Sequence, residues 1–288
     1  MNLRALIFDF DGTVADTEET HRQAFNYAFL RFGLRWDWSK ALYRELLKTS
    51  GGKERIDRFI ATLPVSSAEK ARLCQLVPAI HRNKTQLYTE LIGDGRCPLR
   101  PGVTRLLAEA RQAGLRLAIA STSTAANVNA LLTRHLGGGG AGQFYSVVCG
   151  DLVQRKKPAP DIYQLALSTL GLPSGECIAF EDSLNGLRAA KAAGLFTVVT
   201  PSQWTAGDDF ADADLELSSL GDSDHPLSPE ESELVGGAWL GLAQLSRLHA
   251  ATARERTPSA AHDHDLRPSP SEGRAVGAGD ERETRSGH

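Results

Sequence analysis

The chain reads as an α/β protein, a doubly wound parallel sheet with a helical domain inserted straight after its first strand. Three observations carry this reading. Residues from about 100 to 217 alternate short apolar runs with helix-length segments. Another apolar run, Leu3 to Phe10, opens the chain. Between the two, Thr17 to about Ile92 has helical patterning and no convincing strand. Repeated strand–helix units bury a parallel sheet beneath helices on both faces.

Taken in order, Leu3 to Phe10 is the first buried strand. The helical stretch after it is broken at Gly51-Gly52, then at Pro64 with Ser66 and Ser67. Gly93 to Pro101, with two glycines and two prolines, returns the chain to the core. Further strands are expected at Leu115 to Ala120, Tyr145 to Cys149, Cys177 to Phe180 and Phe196 to Thr200. They are rich in Val, Ile, Leu and Phe, as strands buried on both faces should be. Helices fall at Val103 to Ala113, Ala125 to His135, Asp161 to Leu170 and Leu184 to Ala193. Gly114, Gly171 and Gly194 follow three of them, where a C-cap glycine belongs. Pro101, Pro158 and Pro160 stand near helix starts, where a missing N–H costs little.

These elements divide the chain into a core (1–15 and 98–220), a helical cap (16–97) and an extension (221–288). One amphipathic helix is expected at 234–248, with Trp239, Leu242 and Leu245 on one face. From Thr252 to His288 large apolar residues almost vanish, which predicts disorder. His262-Asp263-His264 has no further ligand cluster nearby and is not expected to hold a metal.

Composition narrows the function. A net charge of -3 over 288 residues argues against nucleic acid or an anionic membrane as partner. No apolar run approaches the roughly 20 residues of a membrane helix, and no signal-peptide pattern is present, so a cytoplasmic monomer is expected. The cysteines, Cys74, Cys97, Cys149 and Cys177, are far apart and read as buried free thiols.

The chemistry sits at strand ends. Asp9-Phe10-Asp11-Gly12-Thr13 closes the first strand, and residues two apart on a strand share a face. Open parallel sheets bind ligands at the carboxyl ends of their strands. A lone Asp-x-Asp would read as a solvated turn, but other strand ends carry chemistry in register with it. Ser121 follows the second strand, where its hydroxyl serves either as a helix cap or as a phosphate ligand. Lys157 precedes Pro158 at a helix start, and Glu181-Asp182 closes a later strand. Carboxylates without nearby His or Cys suit magnesium, which takes oxygen ligands.

Asp9-Phe10-Asp11-Gly12-Thr13, Ser121, Lys157-Pro158 and Glu181-Asp182 resemble, in order, the four motifs of the haloacid dehalogenase superfamily. The resemblance spans most of residues 1 to about 217 and implies a Rossmann-like core. It implies Asp9 as nucleophile, Asp11 as general acid and base, and Ser121 and Lys157 gripping the phosphoryl group. It implies Mg2+ held by the Asp9 carboxylate, the Asp11 backbone carbonyl and Asp182, with Glu181 in support.

Within that superfamily, Thr49 to Arg55, Ile80-His81-Arg82, Lys156-Lys157-Pro158 and Glu181 to Lys191 look like the CbbY-type proteins. Those proteins dephosphorylate xylulose-1,5-bisphosphate, a Rubisco inhibitor, to xylulose 5-phosphate. By that resemblance the substrate-binding candidates are Glu18, His21, Tyr43, Arg44, Gly52, Lys53, Arg55, His81, Thr122 and Asn127. The dense cap cations suit a second phosphate on a small sugar bisphosphate. Ser121-Thr122-Ser123 departs from a threonine-rich second motif, and the tail beyond about Leu220 has no counterpart. A β-phosphoglucomutase-like enzyme is the alternative within the fold. From another class, the chain could be a catalytically idle sugar-phosphate sensor.

Overall fold

Ala5–Phe8 (β1) is apolar at every position and buried throughout, as the central strand of a parallel sheet must be. The computed structural model describes residues 3–93, 97–137 and 139–255. The other described strands are Arg116–Ser121 (β2), Ser146–Cys149 (β3), Cys177–Glu181 (β4), Phe196–Val199 (β5) and Leu215–Glu216 (β6). They form one parallel sheet in the order β3-β2-β1-β4-β5-β6. Strand order reverses between β1 and β4, so Asp9 and Asp182 follow strands on either side of the switch point, where such sheets bind ligands. Register across the switch is set by Phe8 opposite Phe180, their rings stacked with centroids 4.4 Å apart.

β6 was not expected. It is two residues long and carries too little pattern to be read as a strand. The other strands and the core helices Val103–Gln112 (α5), Ala125–Leu136 (α6), Asp161–Leu170 (α7) and Leu184–Ala192 (α8) lie where the patterning predicts them, within one or two residues at most ends. The first strand is shorter than Leu3 to Phe10, because the Asp11–Ala15 turn begins beyond Phe8.

The insert comprises Glu18–Arg31 (α1), Lys40–Leu47 (α2), Gly52–Thr62 (α3) and Ser67–Gly93 (α4). Both expected breaks are present. A third, unexpected one separates α1 from α2, where Gly33 turns the chain at φ 69°. Trp38 follows this break and packs fully buried between Phe25, Phe29 and Tyr43, so the insert has an aromatic core of its own. Pro78 does not end α4, which runs 27 residues through it.

The extension needs correction. The single helix expected at 234–248 is instead Pro229–Val235 (α9) and Leu242–Glu255 (α10). Gly236, at φ 72°, turns the chain between them, in a conformation few other residues adopt. Trp239 therefore lies off both helices, while Val235, Leu240 and Leu245 are buried in the main core. Arg105 of α5 clasps the segment, donating to Leu220 O, Gly221 O and Leu240 O at 3.1, 2.9 and 3.0 Å. Thr252 to Glu255 is helical, not disordered; residues 256–288, with the His262-Asp263-His264 run, lie outside the described residues. The described residues all belong to one compact unit. Among them no helix is long and apolar enough to cross a membrane. All four cysteines are free; Cys97, Cys149 and Cys177 are buried as expected, but Cys74 is exposed.

Candidate active site

Asp9 leaves β1 with its carboxylate buried against Lys157, whose Nζ donates to Asp9 Oδ1 at 2.5 Å and to Glu181 Oε1 at 2.6 Å. Tyr163 of α7 also donates to Glu181 Oε1. Asp182, one residue on, completes a buried group in which carboxylate oxygens of Asp9, Glu181 and Asp182 all lie within 4.8 Å of one another. Burial, and then the Glu181 and Asp182 charges, push Asp9 well above the usual carboxylate range despite Lys157. Burial and Glu181 do the same to Asp182. Burial alone would lower Lys157, but Asp9 and Glu181 outweigh it and hold it above an ordinary lysine.

These residues fit a divalent cation. Ionised together, the three carboxylates would carry two negative charges more than the one Lys157 ammonium offsets, a deficit that a divalent cation would neutralise. Glu181 Oε2 is buried without a hydrogen-bond partner. The donor set is all oxygen, which suits a hard ion. Gly12 makes the close approach possible, since a Cβ there would fall 2.0 Å from Asp182 Oδ2. Asp11 adds no carboxylate to this group.

The Asp11 side chain turns the other way. Thr17 Oγ1 donates to its Oδ1 at 2.6 Å, Ser123 Oγ to its Oδ2 at 2.5 Å, and His21 Nε2 lies 2.8 Å from Oδ1. Burial would raise this carboxyl, but His21, Ser123 and Thr17 outweigh it and hold it below the usual range. Carboxyl groups two residues apart are thus pushed in opposite directions. Behind His21, Lys84 Nζ stands 2.6 Å from Nδ1. Lys84 is buried over the Phe25 and Tyr88 rings, at 4.8 and 5.0 Å. Burial lowers it; Asp11 opposes this and Arg55 assists, leaving it at about 7. Burial and Lys84 also lower His21. A neutral imidazole accepting from Lys84 at Nδ1 carries its proton on Nε2, facing Asp11.

Above these groups lies a cavity between the sheet end and the insert. Asp9, Asp11, Asp182 and Lys157 form its floor. Of the expected substrate residues, Glu18, His21, Gly52, Arg55, His81, Thr122 and Asn127 line it. Tyr43 does not; it is buried behind the wall, donating to Glu18 Oε2 at 2.7 Å and accepting from Arg55 Nη1 at 2.8 Å. Burial, with Lys84 and Lys53 nearby, drops His81 to about 3, so it is neutral. Lys53 borders an adjoining small cleft with Gly51, Gly52, Thr122, Thr124 and Lys156, where it meets Asp151 at 3.5 Å.

Like Tyr43, neither Arg44 nor Ser121 lines the cavity. Arg44 is not brought to the cavity, because its donors are spent on Trp204 O, Gln203 O and Ala206 O at 2.8, 3.2 and 2.9 Å, tying α2 to the loop after β5. Ser121 ends β2 behind the cavity wall, its Oγ accepting from Ser123 N at 3.0 Å; the cap of α6 is Thr124. Sequence reasoning missed Ser123 and Thr17 as site residues and counted Lys84 only among the cap cations. For Lys84 a signal existed: it interrupts the stripe Val77, Ile80, His81, Leu87 and Tyr88, which α4 buries.

Residues 3–194 match the family model for haloacid dehalogenase-like hydrolases. The chain belongs to that family. This hydrolase is 48% identical over 257 residues to protein CbbY, plasmid, of Cupriavidus necator, covering 88% of the chain and all of that relative. It is 50% identical over 220 residues to protein CbbY of Rhodobacter capsulatus, covering 76% of the chain and 95% of the relative. Its fold matches the crystal structure of a mutant CbbY from Rhodobacter sphaeroides in complex with xylulose-1,5-bisphosphate. The TM-score is 0.73 at 42% identity, covering 85% of this chain and 99% of that one.

Proposed function

We propose that this enzyme, a phosphoric monoester hydrolase of the haloacid dehalogenase type, removes one phosphate from a sugar bisphosphate through an aspartyl-phosphate on Asp9. The substrate we propose is xylulose-1,5-bisphosphate and the product xylulose 5-phosphate, so that a Rubisco inhibitor is removed. The observation that carries the reading is the division of labour between the two carboxyl groups. Asp9 is ion-paired to Lys157 within a buried group of three carboxylates, while Asp11 faces hydroxyl and imidazole donors.

Asp9 would attack phosphorus in line, with Lys157 holding the nucleophile and an equatorial oxygen together. Mg2+, held by the Asp9 and Asp182 carboxylates and the Asp11 carbonyl with Glu181 in support, would supply when bound the positive charge that ionises Asp9 and neutralises the phosphoryl oxygens. To protonate the leaving alkoxide, Asp11 must first gain a proton, which the Lys84 ammonium would supply through His21, Nδ1 taking up a proton as Nε2, 2.8 Å from Asp11, gives one up. In its ionised form Asp11 would then deprotonate the water that hydrolyses the acyl-phosphate.

The cap would take the rest of the substrate. Arg55 lines the cavity with its Nε unpaired, and Lys53 and Lys156 border the adjoining cleft beside the backbone of Gly51 and Gly52. A distal phosphate there would meet guanidinium and ammonium donors. We further propose that residues 16–97 act as a domain that closes over the core. Lys53–Asp151 and the Arg44 contacts to the loop after β5 would hold the closed state. The likeness to the Rhodobacter sphaeroides CbbY complex, whose ligand is that bisphosphate, supports the substrate reading. The deciding experiment incubates the protein and Mg2+ with a panel of sugar monophosphates and bisphosphates, scoring free phosphate against isomerised product. Free phosphate chiefly from xylulose-1,5-bisphosphate is expected; isomerised product without phosphate would favour a mutase.

A further inference from the structure

Arg100 stands where the chain returns from the insert to the core; its side chain is buried and is not among the residues that line the cavity. Nη1 donates to Gly12 O at 2.6 Å and to Thr200 O at 2.5 Å; Nη2 donates to Pro201 O at 2.9 Å and to Ser218 O at 3.0 Å. Its backbone N–H reaches Val14 O at 3.0 Å. One side chain thus gathers carbonyls from the turn after Asp11, the loop after β5 and the segment after β6.

We propose that Arg100 is a positioning residue for the cation site, setting the Asp11–Gly12 turn against the loop after β5, whose Thr200 N–H holds the backbone of Glu181 beside Asp182. This rests on the reading of that site under the proposed function. The two elements it joins have no slack. Gly12 lies so close to Asp182 that a Cβ would fall 2.0 Å from Oδ2, and Thr200 N–H donates to Glu181 O at 2.8 Å, one residue before Asp182. Movement of either loop changes the distance between the Asp11 backbone and the Asp182 carboxylate. Burying a guanidinium is costly unless its N–H groups are satisfied, so a residue needed only to fill space there would be apolar. Arginine offers a rigid planar fork whose donors diverge toward separate acceptors; a lysine presents its donors from one point and cannot span the same carbonyls. Supporting groups of this kind commonly control metal affinity and activity by about 10- to 100-fold.

The test measures Mg2+ binding to the full chain by calorimetry, independently of turnover, beside kcat and KM for a phosphate ester. Arg100→Lys should weaken Mg2+ binding and lower kcat, each by about 10- to 100-fold, with KM little changed and the circular dichroism of the wild type. A folded Arg100→Lys that binds Mg2+ as the wild type does overturns the proposal, even if its thermal stability falls. If Arg100→Lys does not fold, Arg100→Gln, which keeps a planar donor but has too few N–H groups to span the same carbonyls, must still weaken Mg2+ binding by about tenfold or more. Wild-type affinity in a folded Arg100→Gln overturns the proposal as well. A wild-type protein that binds Mg2+ but releases no phosphate from any ester would sink the enzymatic reading and leave this comparison intact.

Discussion

Lys84 Nζ lies 2.6 Å from His21 Nδ1, and the opposite nitrogen of that ring lies 2.8 Å from Asp11 Oδ1. A buried lysine near its titration point therefore stands directly behind the residue proposed to move protons. It also carries a measurable consequence for stability. A lysine lowered to about 7 from its ordinary 10.5 binds its proton less tightly in the native state than in the unfolded chain. Between those values the unfolded chain holds more protons, so this group makes stability rise with pH across that window. Below about 7 its full penalty is present. Lys84→Met should thus be most stabilising, or least destabilising, at pH 6, and the difference from wild type should shift toward destabilisation by pH 9. Urea melts at the two pH values measure it; a pH-independent difference would mean Lys84 has an ordinary affinity for its proton.

Replacing Asp11 should separate its two roles. Asp11→Asn is expected to lose about 10² to 10⁴ in turnover on alkyl phosphates, the usual range for proton transfer by a positioned group. An aryl phosphate with a good leaving group needs no protonation in the first step and should still phosphorylate the enzyme, giving a burst followed by slow hydrolysis. Equal losses on both esters in the first step, with Mg2+ still bound, would remove Asp11 as the leaving-group acid.

Cation binding should appear in folding as well as in turnover. Mg2+ at about 100 times its dissociation constant stabilises the native state by about 2.7 kcal/mol, which a thermal melt resolves. The shift should be reversed by a chelator and lost in Asp182→Asn. Calcium, larger and looser in coordination, should also raise the melting temperature yet inhibit turnover. Full activity in chelator would contradict the reading of the buried carboxylates.

The distal-phosphate assignment rests on Lys53 and Arg55. Lys53 is half-exposed, so Lys53→Ala should leave the fold unaffected. It should raise KM for a bisphosphate by about 10- to 150-fold, the range of a charge-assisted hydrogen bond of about 1.5–3 kcal/mol, and leave a small monophosphate almost unchanged. Arg44→Ala, by contrast, cuts a link between α2 and the core and should affect both substrates alike. Equal effects of Lys53→Ala on both substrates would place Lys53 outside substrate binding.

The catalytic floor was readable in advance because it hangs on strand ends. Apolar runs set where β1 and β4 stop, and Asp9 and Glu181-Asp182 fall at or just past those stops. The wall was less readable, because helical side chains reach the cavity only through packing angles that pattern does not encode. Arg44 and Lys84 both counted among the cap cations; one spends its donors on the loop after β5, and the other is buried over two aromatic rings. Ser123 required knowing how the β2–α6 turn faces Asp11. The extension misled because Leu234 to Leu248 keeps helical spacing across Gly236-Gly237, and the left-handed turn at Gly236 overrides it.

The central claim is that phosphate passes through the Asp9 carboxylate. The direct measurement quenches the reaction in acid within the first turnover and maps the adduct by peptide mass spectrometry. A phosphate on Asp9, absent from a folded and inactive Asp9→Asn, is the expected result. An Asp9→Asn variant with substantial turnover, or an adduct on another residue, would contradict it.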